Sequence, residues 1–86
     1  SMSILDMLYD KIRNSLNSKV SDRAIIRIVD ECAYRAQTLG MNITELLEDS
    51  VDVSLNLETG EIDIRQDRLF GIFWSFDSES GDLVGT

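Results

Sequence analysis

The sequence contains no histidine and no proline, and Cys32 is its only cysteine. Histidine is the commonest general base and metal ligand, so its absence removes every Ser–His or Cys–His catalytic pair and argues against an enzyme, a metal site or a cofactor. A lone cysteine cannot form a disulfide within the chain, which fits a reducing compartment. Without proline, and with five glycines in 86 residues, the composition is not that of a linker. We therefore predict a single domain over residues 1–86, in which Ser1 before Met2 is interpreted as a remnant of tag removal.

Long apolar runs are missing as well. No stretch of the sequence is long enough to span a bilayer, and no basic segment followed by an apolar one marks a secretory leader. The sequence therefore predicts a protein of the cytoplasm that does not contact membranes.

Positive charge is absent from the middle of the chain. No lysine or arginine lies between Ala36 and Ile64, whereas seven carboxylates do, so this acidic stretch has a formal charge of −7 in a chain whose total is −8. Its carboxylates are Glu45, Glu48, Asp49, Asp52, Glu58, Glu61 and Asp63. An even excess of carboxylates indicates solubility only, whereas a concentrated one is typical of a surface that binds a positively charged partner.

Two amphipathic helices are predicted in the first half of the chain. Ser3 caps the first helix, which continues to about Leu16, and Ser21 caps the second, which ends near Gly40. The apolar residues at helical spacing are Ile4, Leu8, Ile12 and Leu16 in the first helix, and Ile25, Ile28, Val29, Cys32, Ala36 and Leu39 in the second. Each helix is apolar on one side only and therefore needs a surface to pack against.

The apolar spacing then changes from helical to alternating. Asn42 followed by Glu45 predicts a third helix of about two turns that continues to Glu48. Beyond it, apolar and polar residues alternate as in strands with one exposed face. The alternating apolar positions are Val51, Val53, Leu55 and Leu57 and, after a turn at Glu58-Thr59-Gly60, Ile62 and Ile64.

A third strand is predicted from Leu69 to Phe76, and it is apolar on both faces. Leu69 and Phe73 would face away from the core, so we predict that they form the contact of a homodimer. Leu83 and Val84 are candidates for a short fourth strand. The expected fold is α+β, with two amphipathic helices and a short third helix packed on an antiparallel three- to four-stranded β-meander.

One segment comes close to a DNA-binding motif. Ala36, Gly40 and Leu46 have the spacing of a helix-turn-helix, but the second helix would present Glu45 and Glu48 to phosphates, which repel carboxylates. We therefore predict no direct binding to nucleic acid.

The chain resembles, as a class, the small acidic inhibitors encoded by bacteriophages. The resemblance lies in the small size, the charge pattern from Glu45 to Asp63, the lack of catalytic residues and the α+β outline. Several of those proteins occupy nucleic-acid-binding surfaces as DNA mimics, so the resemblance implies an inhibitor whose partner is a basic nucleic-acid-binding protein, such as a histone-like protein. The partner-binding residues would be Glu45, Glu48, Asp49, Asp52, Glu58, Glu61 and Asp63.

Three alternatives remain open at the level of sequence. The chain could be a structural or assembly subunit in which the apolar third strand matters and the charge is incidental. It could be an adaptor or inhibitor that binds the transcription machinery without mimicking DNA. The acidic face could also serve only to keep the protein soluble and its sheet edges apart.

Overall fold

The fold is an antiparallel β-meander covered on one face by helices. The computed structural model describes residues 2–48, 50–66 and 69–84, and for residues 69–73 it describes the backbone alone. The helices are α1 (Ile4–Ser15), α2 (Asp22–Thr38) and a short 3₁₀ helix (Ile43–Leu47). The strands, neighbours in chain order, are β1 (Asp52–Asn56), β2 (Glu61–Gln66), β3 (Leu69–Phe76) and β4 (Leu83–Val84). The α+β class and the predicted meander are thus confirmed, with the fourth strand present.

Both long helices begin at the serines that the sequence predicts. The Ser3 hydroxyl accepts a hydrogen bond from the Asp6 N–H at 3.1 Å, and the Ser21 hydroxyl accepts one from the Ala24 N–H at 3.1 Å. Each bond satisfies a backbone donor that has no partner inside the helix. Beyond α2, Gly40 has a φ of +71°, the left-handed conformation expected of a residue that closes a helix.

The connection between α1 and α2 is held by Arg13. Its guanidinium donates to the carbonyl oxygens of Asn17 at 2.7 Å and Val20 at 2.6 Å, and it pairs with Asp22 at 3.3 Å. These contacts join the end of α1 to the start of α2, so the two helices run antiparallel as a helical hairpin.

The two helices are each apolar on one face, as predicted. The central residues of the α1 stripe, Leu8 and Ile12, are buried, but Ile4 at the start of α1 and Leu39 at the end of α2 are exposed. The apolar stripes are therefore interrupted at the helix ends, where packing against the core stops. No helix in the described ranges is long and apolar enough to cross a membrane.

The third helix differs from the sequence prediction. An α-helix of about two turns is expected there, but Ile43–Leu47 forms a 3₁₀ helix of five residues. Asn42 caps it as predicted, since its side-chain oxygen accepts from the Thr44 N–H at 3.1 Å. So short a segment makes too few i→i+4 bonds to offset the cost of helix nucleation, and the tighter i→i+3 bonding is favoured instead.

The β1–β2 register aligns the apolar residues of the two strands on one face, where Leu55 lies opposite Ile62. The prediction is wrong for Leu57, because β1 ends at Asn56 and Leu57 lies in the turn with its side chain exposed. The reason is the Asn56 side chain, whose oxygen accepts from the Glu58 N–H at 2.9 Å and so starts the turn immediately after the strand.

The core lies between the helices and the apolar face of the sheet. Its buried members are Leu8, Ile12, Leu16, Val20, Ala24, Ile25, Ile28, Val29, Cys32, Ala36, Met41, Leu46, Val51, Ile62, Ile64, Phe76 and Leu83. Burial raises the pKa of the Cys32 thiol to about 12, so the thiol stays protonated at neutral pH. Cys32 thus belongs to the packed interior, where the sequence pattern puts it.

The predicted dimer contact lies outside the side chains that the structure describes. Leu69 and Phe73 belong to β3, whose backbone pairs with β2 and places Phe73 opposite Asp63. Homodimerisation through these two residues stays a prediction.

Candidate protein-binding surface

The β1–β2 hairpin places three of the predicted carboxylates on the sheet face opposite the helices. Side chains alternate along a strand, so Glu61 and Asp63 point away from the face on which Ile62 is buried. Across the register, Asp52 of β1 lies on the same outward face, and both Asp52 and Glu61 are exposed. Together with the turn that joins the strands, this surface is called the hairpin face, and its carboxylates are Asp52, Glu58, Glu61 and Asp63.

Arg65 introduces a positive charge into the hairpin face. Its Nε lies 2.6 Å from Oδ2 of Asp63, and in the register it lies opposite Asp52. The Asp63 side chain is only 20 % exposed, and its Oδ1 is buried without a hydrogen-bond partner in the described part of the chain. Asp63 is thus paired with Arg65 and little exposed, so the outward charge of the face comes mainly from the other carboxylates.

The turn at the tip of the hairpin holds Glu58 in a defined position. The Asn56 side-chain oxygen accepts hydrogen bonds from the Glu58 N–H at 2.9 Å and the Thr59 N–H at 3.3 Å. Gly60 bonds back to the strands on both sides, through its N–H to the Asn56 carbonyl at 2.8 Å and through its carbonyl to the Phe76 N–H at 2.7 Å. The backbone that carries Glu58 is thus ordered before any partner arrives, which lowers the entropic cost of binding.

The remaining carboxylates of the acidic stretch lie elsewhere. Glu45 and Glu48 belong to the 3₁₀ helix and its cap, and this helix packs against α1 and α2. Glu45 is half-buried, and the Lys11 ammonium of α1 donates a hydrogen bond to the Glu48 carbonyl oxygen. Asp49 lies outside the described residues. The structure therefore brings together the hairpin carboxylates but holds Glu45 and Glu48 beside the helices.

A second charged cluster joins the β3–β4 turn to the start of α2, and sequence reasoning missed it. The Asp82 carboxylate accepts hydrogen bonds from the Arg23 guanidinium at 2.7 Å and from the Ser21 hydroxyl. The Ser21 hydroxyl therefore both caps α2 and binds Asp82. Both partners lie about sixty positions away in the chain, at separations of 59 and 61 residues. No local spacing rule predicts a contact over that distance, since spacing rules apply within one helix or hairpin.

The Asp82 cluster predicts a specific dependence of stability on pH. Hydrogen bonds from Arg23 and then Ser21 hold the pKa of Asp82 below its ordinary value of 3.8. The carboxylate thus stabilises the fold above pH 3.8, and this contribution is lost as the pH falls from there through the lowered pKa. Acidification from neutral pH should lower the free energy of unfolding less in Asp82→Asn than in the wild type, as measured by urea denaturation at each pH.

Asp10→Asn is the matched control, because Asp10 is exposed on α1. That variant should retain the wild-type acid sensitivity. If Asp82→Asn lost as much stability on acidification as the wild type does, the ionised form of Asp82 would have no specific role in the fold.

The hairpin face can act through charge and shape. In the described part of the chain, no group of three His, Cys, Asp or Glu side chains could hold a metal ion. Alternate residues of a strand are about 6.8 Å apart, so the face offers separate fixed negative charges rather than one dense cluster. Such an arrangement can pair with lysine and arginine side chains of a partner.

In comparisons with known proteins, the chain matches no protein-family model, no curated protein and no solved structure.

Proposed function

We propose that the chain is an acidic protein-binding module that occupies the nucleic-acid-binding surface of a basic protein, and so inhibits it, in the bacterial cytoplasm. The observation that carries the proposal is the hairpin face, on which Asp52, Glu58 and Glu61 are exposed on a backbone ordered by the Asn56 turn. A fixed array of carboxylates, rather than a diffuse acidic excess, is what a surface that competes with phosphates requires.

The physical basis is shared electrostatics. A basic surface that binds nucleic acid gains free energy from counterion release, and carboxylates at fixed positions can draw on the same positive field. A histone-like nucleoid protein is the class of partner that this chemistry fits best, because its basic surface contacts the phosphate backbone without reading bases. Binding should therefore be sensitive to salt and competitive with DNA.

The test is displacement of duplex DNA from a purified histone-like protein. Fluorescently labelled duplex is bound first, and adding this protein should release it, as followed by anisotropy at low and at physiological ionic strength. Glu58→Lys/Glu61→Lys should weaken displacement by about tenfold, because both charges belong to the hairpin face and neither faces Arg65 in the register.

Asp10→Lys/Glu79→Lys is the matched control, because both side chains are exposed and lie outside the hairpin. Each double variant raises the formal net charge of −8 by the same four units. The control should displace DNA almost as well as the wild type. Equal losses in the two double variants would show that net charge drives the interaction, and absence of displacement by the wild type would contradict the proposal.

A further inference from the structure

An apolar groove runs along the outward side of the two long helices. It consists of two adjoining hollows that share Leu5 and Asp30, one extending to Tyr9 and Ile26 and the other past Tyr34 to the start of the 3₁₀ helix at Ile43. The groove follows from the antiparallel helix pair, since two packed helical cylinders leave a furrow between their solvent-facing sides. This surface is called the helix groove. Its exposed or partly exposed apolar members are Leu5, Tyr9, Ile26, Ala33, Tyr34 and Ile43, and the buried Val29 and Met41 lie at its base.

Three apolar side chains of the helix groove are exposed. Ile26 is 52 % exposed, Leu5 46 % and Tyr34 65 %, whereas Ile25 beside Ile26 is completely buried. Isolated apolar residues on a surface need no explanation, but several that line one groove mark a binding surface. Val29 and Tyr9 connect the groove to the core, but Ile26 lies beside the buried stripe of α2 and remains half exposed, so the core does not cover it.

The charged side chains that line the helix groove are carboxylates, although the Arg13 guanidinium lies beside two of its members, Asp22 and Tyr9. Asp6, Asp22 and Asp30 line the groove, and no lysine or arginine is among the described residues that do so. Asp22 pairs with Arg13 at 3.3 Å, yet its side chain remains 82 % exposed. A partner that fills this groove would therefore meet carboxylates beside an apolar floor.

We propose that the helix groove binds an amphipathic helix of a partner protein, apolar on one face and flanked by lysine or arginine. An apolar furrow between two helices accepts residues spaced at i, i+3, i+4 and i+7 of a third helix. The flanking positive charges would lie opposite Asp6 and Asp30.

Charge also argues against a second copy of this chain as the occupant. In a two-fold symmetric contact the same surface meets itself, so two copies of Asp6, Asp22 and Asp30 would be brought into one interface. The helix groove lies on the helical side of the molecule and the hairpin face on the opposite side of the sheet. The groove proposal therefore does not depend on the proposed function of the hairpin face.

The test uses defined peptides and the whole chain. The probe is a labelled helical peptide of about 16 residues with leucines on one face and lysines at the positions that flank this face, a length of about 24 Å as a helix. A second peptide has the same composition with the leucines distributed around the helix, and a third has glutamate in place of lysine. We expect anisotropy at physiological ionic strength to show at least about tenfold tighter binding of the probe than of either control peptide.

Variants assign the binding to the groove. Ile26→Ser and Tyr34→Ala should each lower the affinity for the probe by about tenfold. Leu57→Ser is the control, because Leu57 is 59 % exposed near the hairpin tip, and it should leave the affinity unchanged. Asp30→Lys should weaken the probe several-fold more than Glu79→Lys. Circular dichroism establishes that each variant is folded.

Several outcomes would overturn the proposal. Equal affinity for the probe and the redistributed peptide would mean that charge alone binds it. If Glu58→Lys/Glu61→Lys abolished binding of the probe and Ile26→Ser left that binding unchanged, the probe would bind at the hairpin face and not in the groove. A wild-type dimer in sedimentation that becomes a monomer on Ile26→Ser would mean that a second copy covers the groove. Failure of the hairpin face to displace DNA would leave the groove proposal intact, because its readouts are separate.

Discussion

Gly81→Ala is expected to lower the free energy of unfolding by about 3 kcal/mol, a large part of the roughly 4–13 kcal/mol expected for a chain of this length. Gly81 has a φ of +78°, a conformation that costs an alanine about 1–2 kcal/mol. A Cβ there would also lie 3.2 Å from the Ser21 backbone nitrogen and well inside contact distance of the Lys19 carbonyl oxygen. The Ser21 backbone is held in place, because its N–H donates to the Gly81 carbonyl at 2.7 Å and Ser21 caps α2.

Gly40→Ala separates the two components of that loss. Gly40 has a similar φ of +71°, but a Cβ there would meet nothing within 4 Å. Its substitution should therefore cost only the conformational part, about 1 kcal/mol. Thermal unfolding followed by circular dichroism should give Tm decreases of roughly 12–24 °C for Gly81→Ala and 4–8 °C for Gly40→Ala. Equal decreases in Tm would show that a Cβ at position 81 does not clash with the α1–α2 loop.

Ile25→Ala is expected to cost about 2–5 kcal/mol of the free energy of unfolding. Ile25 is completely buried between the helices and the sheet, so removing its outer carbons loses apolar burial and leaves a cavity. Urea denaturation should show a lower midpoint with an unchanged slope, since the surface exposed on unfolding hardly changes.

Ile26→Ala is the control from the next position of the same helix. Ile26 is half exposed, and alanine has the higher helix propensity, so this change should alter the free energy of unfolding by about 0.5 kcal/mol or less. A loss at Ile26 as large as that at Ile25 would mean that Ile26 packs within the chain. That result would also contradict the helix groove as a binding surface.

Local patterns predict most of the fold. The serine caps at Ser3 and Ser21, the closing glycine at Gly40 and the alternation in the hairpin are confirmed because each depends on residues within a few positions of one another. Alternation alone predicts Leu57 in the strand, because it does not show where the turn at Asn56 begins. Capping signals predict an α-helix at Ile43–Leu47, because they mark where a helix begins but not which hydrogen-bonding pattern it adopts.

The candidate sites were less predictable than the fold. The acidic stretch is evident in the sequence, but its division between the hairpin face and the 3₁₀ helix depends on tertiary packing. The pairing of Arg65 with Asp63 could have been anticipated, since residues two apart on a strand share a face. The helix groove had a signal too, because Ile26 lies off the buried stripe of α2, but an isolated exposed apolar residue is too common to point to a site.

The order of elements along the chain bears on how the protein is made. Both long helices precede every strand, so a ribosome releases the apolar sides of α1 and α2 before the sheet that covers them exists. The buried core joins residues of both helices to Ile62 and Ile64 of β2, so it is complete only after β2 has been synthesised. The sheet then forms rapidly, because each strand pairs with its neighbour in sequence. The contact of Gly81 with the Ser21 cap can form only after β3 has been synthesised, and it joins the β3–β4 turn to the start of α2.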